Sequence, residues 1–126
     1  MKKIIFILGC LLFIFCITGC ENSDSKQGIQ EEKTLEQILY ENNYILLDVR
    51  SEEEFSKGHL VGALNIPHDV IRENLSFLDK SKVLLVYCRS GNRSKLAYNT
   101  LKGLGYQVYD LGAYDSIDLE KESFLT

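Results

Sequence analysis

The chain has 126 residues, of which 45% are hydrophobic and 25% charged, enough for one small globular domain. The formal net charge is −4 and no basic stripe follows the first three residues, which excludes nucleic acid as an expected partner. Neither His59 nor His68 has a cysteine or a second histidine at ligand spacing. We therefore expect neither a metal ion nor another cofactor.

The first twenty residues are typical of an export signal. Lys2 and Lys3 precede an apolar run over residues 4–17, which is shorter than the ~20 residues needed to span a bilayer. The tetrapeptide ITGC that ends at Cys20 resembles the lipobox of bacterial lipoproteins. This resemblance implies cleavage before Cys20, a diacylglyceryl group on its sulfur, and a domain anchored to a bacterial membrane in the cell envelope, outside the cytoplasm. The alternative is an ordinary secretory signal or an uncleaved anchor.

We accordingly divide the chain into a signal peptide (1–19), a lipidated cysteine with a flexible polar linker (20–33), and one domain (34–126). Two of the four cysteines leave with the signal and Cys20 carries lipid, so Cys88 is expected to be the one free thiol. A single unpaired cysteine in an exported protein points to a reactive thiol.

The domain is expected to alternate helices and strands. The predicted helices start at a capping box on Thr34, at a capping box on Ser51 (ending at Gly58), at Asp69, at Arg93 and in the tail from Asp115 onwards. The predicted strands cover residues 44–49, 63–66, 82–87 and 106–111.

Core-facing helical positions are predicted for Val70, Ile71, Leu75, Leu78, Leu96, Ala97, Leu101 and Leu104, with Gly105 ending the helix that starts at Arg93. Continuous apolar strands between helices indicate an α/β fold with a small, mostly parallel sheet covered by helices on both faces. Ligands of such folds bind at the carboxyl ends of the strands.

The segment from Cys88 to Ser94 carries the clearest chemical signal. An apolar run ends at Cys88, and the residues that lead into the next helix are Arg89, Ser90, Gly91, Asn92, Arg93 and Ser94. This order puts a thiol at the amino end of a helix, where backbone N–H groups and the helix dipole favour an anion. Glycine lets those N–H groups curl inward, and the arginines add positive charge. We therefore expect a nucleophilic Cys88 thiolate and an anionic substrate.

The length of this loop distinguishes between two chemistries. Sites of the tyrosine-phosphatase type have five residues between cysteine and arginine, whereas four residues separate Cys88 from Arg93. The shorter cradle is expected to be too tight for a phosphoryl group but wide enough for one additional sulfur atom on the cysteine.

The segment 88–94 resembles the active-site loop of single-domain rhodaneses, and so do LDVR at 47–50, Glu54 and GHLVGALNIP at 58–67. The similarity covers roughly residues 34–114. It implies a rhodanese-like fold and a persulfide on Cys88. The implied partners are a small-molecule donor such as thiosulfate or polysulfide and a thiol or cyanide acceptor. The chain departs from the family at Ala113, where a second glycine is common, and in lacking the tryptophan that often follows.

The loop pattern and the resemblance also lead to expected roles for the charged residues near the loop. Arg89 and Arg93 are expected to hold the sulfonate end of thiosulfate, unless one of them supports the loop instead. Asp48 and Arg50 are expected to be structural residues near the site, with Arg50 pairing with Glu54. One nucleophile needs no partner subunit, so a monomer is expected, although the sequence leaves the oligomeric state open.

Three other functions compete with a sulfurtransferase. The first is a non-catalytic sulfur carrier that docks on a partner at the membrane. The second is a phosphatase or an enzyme like arsenate reductase, which the loop length disfavours. The third is a degenerate interaction domain, which the presence of Cys88, Arg89 and Arg93 disfavours.

Overall fold

The computed structural model describes residues 31–124. Within that range, the main sheet has four parallel strands in the order β3-β1-β4-β5, namely β1 Tyr44–Asp48, β3 Leu64–Asn65, β4 Val83–Cys88 and β5 Gln107–Ala113. A separate antiparallel pair joins β2 (Gly58–Leu60) to β6 (Lys121–Ser123). The helices are α1 Leu35–Glu41, α2 Glu52–Lys57 and α3 Asn92–Gly103, with 3₁₀ turns over His68–Phe77 and Tyr114–Ser116. The predicted α/β fold with a mostly parallel sheet is confirmed.

The predicted signal peptide, the lipidation site Cys20 and the linker as far as residue 30 lie outside the described residues. Within residues 31–124, no helix has both the length and the apolar character needed to cross a bilayer.

The central strand β4 is buried on both faces. Leu84, Val86 and Cys88 belong to the core on the side of α3, whereas Leu85 and Tyr87 belong to the core on the other side. All five side chains are fully buried. A parallel sheet reaches this state because elements cover both of its faces, which is why β4 reads as one continuous apolar run.

Three helix boundaries lie where the capping residues predicted them. Thr34 and Ser51 each form a capping box, in which the hydroxyl and the side chain three residues later satisfy reciprocal backbone N–H groups. The helix α3 ends in a Schellman motif, with Gly105 N–H donating to Lys102 O and Tyr106 N–H to Leu101 O. Gly105 has φ +86°, which favours glycine at this position.

The segment after Pro67 differs from the prediction, because 3₁₀ turns replace the α-helix and Asp69 forms no cap. Asn74 leaves the helical region at φ −114°, and its side-chain amide donates to Val70 O at 2.8 Å. That carbonyl is the one that the Asn74 backbone would use in an α-helix. Ile71 and Leu78 are buried as predicted, whereas Val70 is exposed.

Two further predictions are corrected. Leu96 is exposed, because the inward face of α3 is formed by Ser94, Ala97 and Leu101. The last helix is a single 3₁₀ turn followed by β6. The predicted helix end at Gly58 is confirmed, since α2 ends at Lys57 with Gly58 as its C-cap, and Gly58 then begins β2 with an extended backbone that pairs with β6.

Candidate active site

The loop between β4 and α3 surrounds the Cys88 thiol. The strand ends at Cys88, one residue later than predicted, and α3 begins at Asn92, one residue earlier. Gly91 caps the helix with φ +94°, a left-handed conformation that favours glycine. The seven residues 88–94 predicted as the site therefore form one continuous turn from the strand into the helix.

The Cys88 sulfur accepts hydrogen bonds from this turn. Gly91 N–H donates to Sγ at 3.0 Å, and the Ser94 hydroxyl donates to Gly91 O at 3.0 Å. A hydroxyl has one proton, so Ser94 Oγ serves the sulfur or the Gly91 carbonyl at any moment. Burial raises the pKa of the Cys88 thiol, but hydrogen bonds from Ser94, Gly91 and Ser90 outweigh burial and bring the pKa below its ordinary value. The loop therefore favours the thiolate.

Arg93 supports the loop from outside. Its guanidinium forms a bidentate ion pair with Glu54, with nitrogen–oxygen distances of 2.6 and 2.9 Å. The hydrogen bond from Arg93 lowers the pKa of Glu54 to about 2, helped by the capping-box bonds from Ser51. The predicted pairing of Arg50 with Glu54 is therefore wrong.

The Asp48–Arg50 pair lies at the end of β1, where Asp48 is the register partner of Tyr87 on β4. Both side chains are buried, and Arg50 Nη2 donates to Asp48 at 2.6 Å and to Gly58 O at 2.7 Å. The guanidinium carbon also lies 4.4 Å from the Tyr114 ring centroid and 5.6 Å from that of Tyr87. These contacts join the end of β1 to β2 and to the segment after β5, as expected of structural residues.

Solvent reaches the outer side of the loop. Arg89, Ser90 and Asn92 are exposed, whereas Ser94 is buried. Arg89 forms no ion pair within the part of the chain that the structure describes. It is therefore the loop cation that is free to meet an anion from solvent.

The end of β5 packs against the loop. Its pairing with β4 skips Leu111, and Gly112 then turns at φ +80°. A Cβ built on Gly91 would lie 3.8 Å from Gly112 Cα, so the two backbones approach closely here. Ala113, where the family often has a second glycine, has an ordinary extended conformation at φ −86° and ψ 129° that alanine adopts without strain.

An open cleft of about 510 Å³ lies beside the loop. Its wall combines Arg93 with the starts of α2 and of the first 3₁₀ segment, namely Ser51, Glu52, Glu53, Pro67, His68, Asp69 and Val70. Arg93 is therefore shared by the loop and the cleft. Across the described residues, no three His, Cys, Asp or Glu side chains come together as metal ligands.

The sequence did not indicate two features of this site. The motif containing Glu54 was recognised, but nothing local identified Arg93, 39 residues further on, as its partner. The approach of Gly112 to Gly91 depends on a strand irregularity that leaves no composition signal. Gly112, which precedes Ala113, was the one residue in the sequence that indicated a turn at this position.

Comparisons with known proteins agree with this geometry. A family model described as a rhodanese-like domain matches residues 31–117. The thiosulfate sulfurtransferase PspE of Escherichia coli is 33% identical over 78 residues, which are 60% of this chain and 75% of PspE. A Bacillus subtilis protein, YrkF, whose name describes it as a candidate sulfur carrier, is 30% identical over 87 residues, or 69% of this chain and 47% of YrkF.

Among solved structures, an Escherichia coli rhodanese with anions matches at a TM-score of 0.59 and 31% identity, covering 64% of this chain and 99% of that one. Several curated relatives are longer proteins. The chain spans 47%, 20% and 24% of the lengths of YrkF, an Ogataea parapolymorpha adenylyltransferase and sulfurtransferase, and a Porphyra purpurea adenylyltransferase.

Proposed function

The chain belongs to the family of rhodanese-like domains, and we propose that it is a sulfurtransferase that carries sulfane sulfur on Cys88. The observation that carries the proposal is the buried Cys88 thiol, which accepts N–H bonds at the start of α3. Thiosulfate or polysulfide is the proposed donor, and a thiol or cyanide is the acceptor. The name of PspE, a thiosulfate sulfurtransferase, supports this donor class.

In the first step, the Cys88 thiolate attacks the outer sulfur of thiosulfate. A Cys88 Sγ–S bond forms, the sulfur–sulfur bond of thiosulfate breaks, and sulfite leaves with the bonding electron pair. The terminal sulfur of the persulfide keeps the negative charge and lies within reach of the loop N–H groups. Arg89, as the exposed loop cation, holds the sulfonate end of the donor.

In the second step, the acceptor attacks the terminal sulfur. Cyanide becomes thiocyanate, or a thiolate becomes a persulfide, and the electron pair of the Sγ–S bond returns to Cys88. No separate general base is required, because the loop already favours the thiolate. Arg93 takes no part in holding the donor in this scheme, because its guanidinium is bound to Glu54.

Steady-state kinetics with the full chain tests this scheme. Turnover of thiosulfate and cyanide should give parallel double-reciprocal lines, as expected when one product leaves before the second substrate binds. Cys88→Ser should abolish turnover. Intersecting lines would contradict the covalent relay. The absence of turnover with both thiosulfate and polysulfide would contradict the proposed sulfurtransferase activity.

The same experiment distinguishes the sulfur-carrier alternative. A carrier would take up sulfur on Cys88 but release it slowly to free cyanide or thiols, because release requires its partner. The similarity to YrkF, whose name describes a candidate sulfur carrier, is the specific observation behind this alternative. A phosphatase is disfavoured, because the Arg93 guanidinium is engaged outside the loop.

The ITGC tetrapeptide leads to a proposal about location: Cys20 carries lipid and holds the domain at a bacterial membrane, outside the cytoplasm. Two acyl chains on one cysteine are sufficient for stable anchoring. Cys20→Ser should move the protein from the membrane fraction to the soluble fraction. Unchanged membrane association of that variant would contradict lipid anchoring through Cys20.

A further inference from the structure

The ion pair between Glu54 and Arg93 connects the two helices that begin beside the active-site loop. Glu54 is in the first turn of α2, where its carboxylate also accepts bonds from Ser51 N–H at 3.1 Å and Ser51 Oγ at 3.0 Å. The pair with Arg93 therefore has one end already held by the capping box. Both side chains are about one-quarter to one-third exposed, with 29% for Arg93 and 26% for Glu54.

Arg93 is the second residue of α3 and lies directly before Ser94. Ser94 is fully buried and donates to Gly91 O, while its backbone N–H is among the donors that favour the Cys88 thiolate. A bidentate guanidinium fixes orientation as well as distance, because both donors are in one plane. Holding the Arg93 side chain thus restrains the turn that aims these N–H groups.

We propose that Glu54 is a positioning residue, which holds the first turn of α3 through Arg93 so that the loop N–H groups stay directed at Cys88. The importance of this alignment for sulfur transfer rests on the function proposed above. The hydrogen bonds that lower the pKa of Cys88 come from Ser94, Gly91 and Ser90, against burial, which raises it. The Glu54 carboxylate binds Ser51 and Arg93 and not the sulfur, so its effect on Cys88 passes through the geometry of the loop.

The sign of the effect separates this role from a purely electrostatic one. A carboxylate near a thiolate repels it, so removal of Glu54 as a bystander charge would make the thiolate more stable. Removal of a positioning residue makes the thiolate less stable, because the N–H groups lose alignment.

Other charged groups lie near the pair, and those that line the cleft beside Arg93 are Glu52, Glu53, His68 and Asp69. Asp48 and Arg50 bind each other, Asp110 on β5 accepts from Gly112 N–H at 2.9 Å, and Arg89 points to solvent. Since these contacts do not involve Glu54, its substitution should leave them intact.

The test is the rate at which iodoacetamide alkylates Cys88 in the full chain, measured against pH and resolved by peptide mass spectrometry. Glu54→Ala should slow alkylation at pH 7 about threefold and move the profile to higher pH. Glu54→Gln keeps one acceptor oxygen and should have a smaller effect in the same direction. Glu53→Gln is the matched control, because Glu53 is in the same turn but pairs with Lys57 at 2.9 Å.

Profiles of Glu54→Ala and Glu54→Gln that are unchanged or displaced to lower pH would overturn the proposal. If Glu54→Ala fails to fold by circular dichroism, Arg93→Lys takes its place, because it keeps the charge but loses the bidentate geometry. The assay needs no sulfur donor. A wild-type chain without sulfur transfer would therefore overturn the proposed function, while the alkylation profiles would still decide the role of Glu54.

Discussion

Replacement of Ser94 by alanine tests how the loop activates Cys88. Ser94 is fully buried, and its hydroxyl is placed between the sulfur and Gly91 O. A hydrogen bond to a charged group is worth about 1.5–3 kcal/mol. The hydroxyl divides its time between two acceptors, so we take a value near the lower limit. About 1.4 kcal/mol corresponds to a tenfold change in an equilibrium.

Ser94→Ala should therefore raise the pKa of the Cys88 thiol and shift the thiol–thiolate equilibrium about tenfold towards the thiol. The expected readouts are a pH profile of Cys88 alkylation displaced upward and, at pH values where the thiol predominates, a rate slower by about the same factor. Ser56→Ala is a suitable control, because the Ser56 hydroxyl donates to a backbone carbonyl at 2.8 Å in α2, outside the loop. A Ser94→Ala profile that coincides with wild type would refute the view that side-chain donation stabilises the thiolate.

Three further substitutions have expected outcomes. The folded pKa of Glu54 is about 2, below its ordinary 4.5, so the ion pair stabilises the protein above pH 4.5 and this contribution disappears as the pH falls towards 2. Partial exposure limits the contribution to about 1 kcal/mol, and urea unfolding of Glu54→Gln should lack this part of the pH dependence. Gly91→Ala puts a side chain at φ +94° and should lower the unfolding free energy by about 1–2 kcal/mol in the same assay, with loss of sulfur transfer; an unchanged midpoint would show that the loop relaxes. Arg50→Ala leaves Asp48 buried without its partner and should lower the free energy of unfolding by about 3–5 kcal/mol, which would appear as a large drop in Tm. A drop of only a degree or two would mean that the pair contributes little to stability.

The parts of the fold predicted correctly depend on signals within a few residues. The capping boxes at Thr34 and Ser51 and the glycine at 105 each act through hydrogen bonds to the adjacent helix end. The buried strand β4 was predictable because its apolar run is uninterrupted. The nucleophile was predictable for the same reason, since the end of that run puts Cys88 beside a glycine-containing turn.

The incorrect parts depend on partners that are distant in the sequence or on competing polar contacts. β6 forms only because residues 121–123 find an edge at β2, more than sixty positions earlier. Glu54 was assigned to Arg50, its neighbour in the sequence, whereas the fold brings Arg93 to it. Asn74 ended a helical pattern through one side-chain amide, a competition that apolar periodicity does not register.

The most direct test of sulfur carriage is the intact mass of the full chain after thiosulfate and again after cyanide. The untreated protein and Cys88→Ser serve as references, and they correct for sulfur on cysteines outside the domain. We expect a gain of one sulfur atom that cyanide removes and that Cys88→Ser does not show. A wild-type mass unchanged by both thiosulfate and polysulfide, or an equal gain in Cys88→Ser, would contradict it.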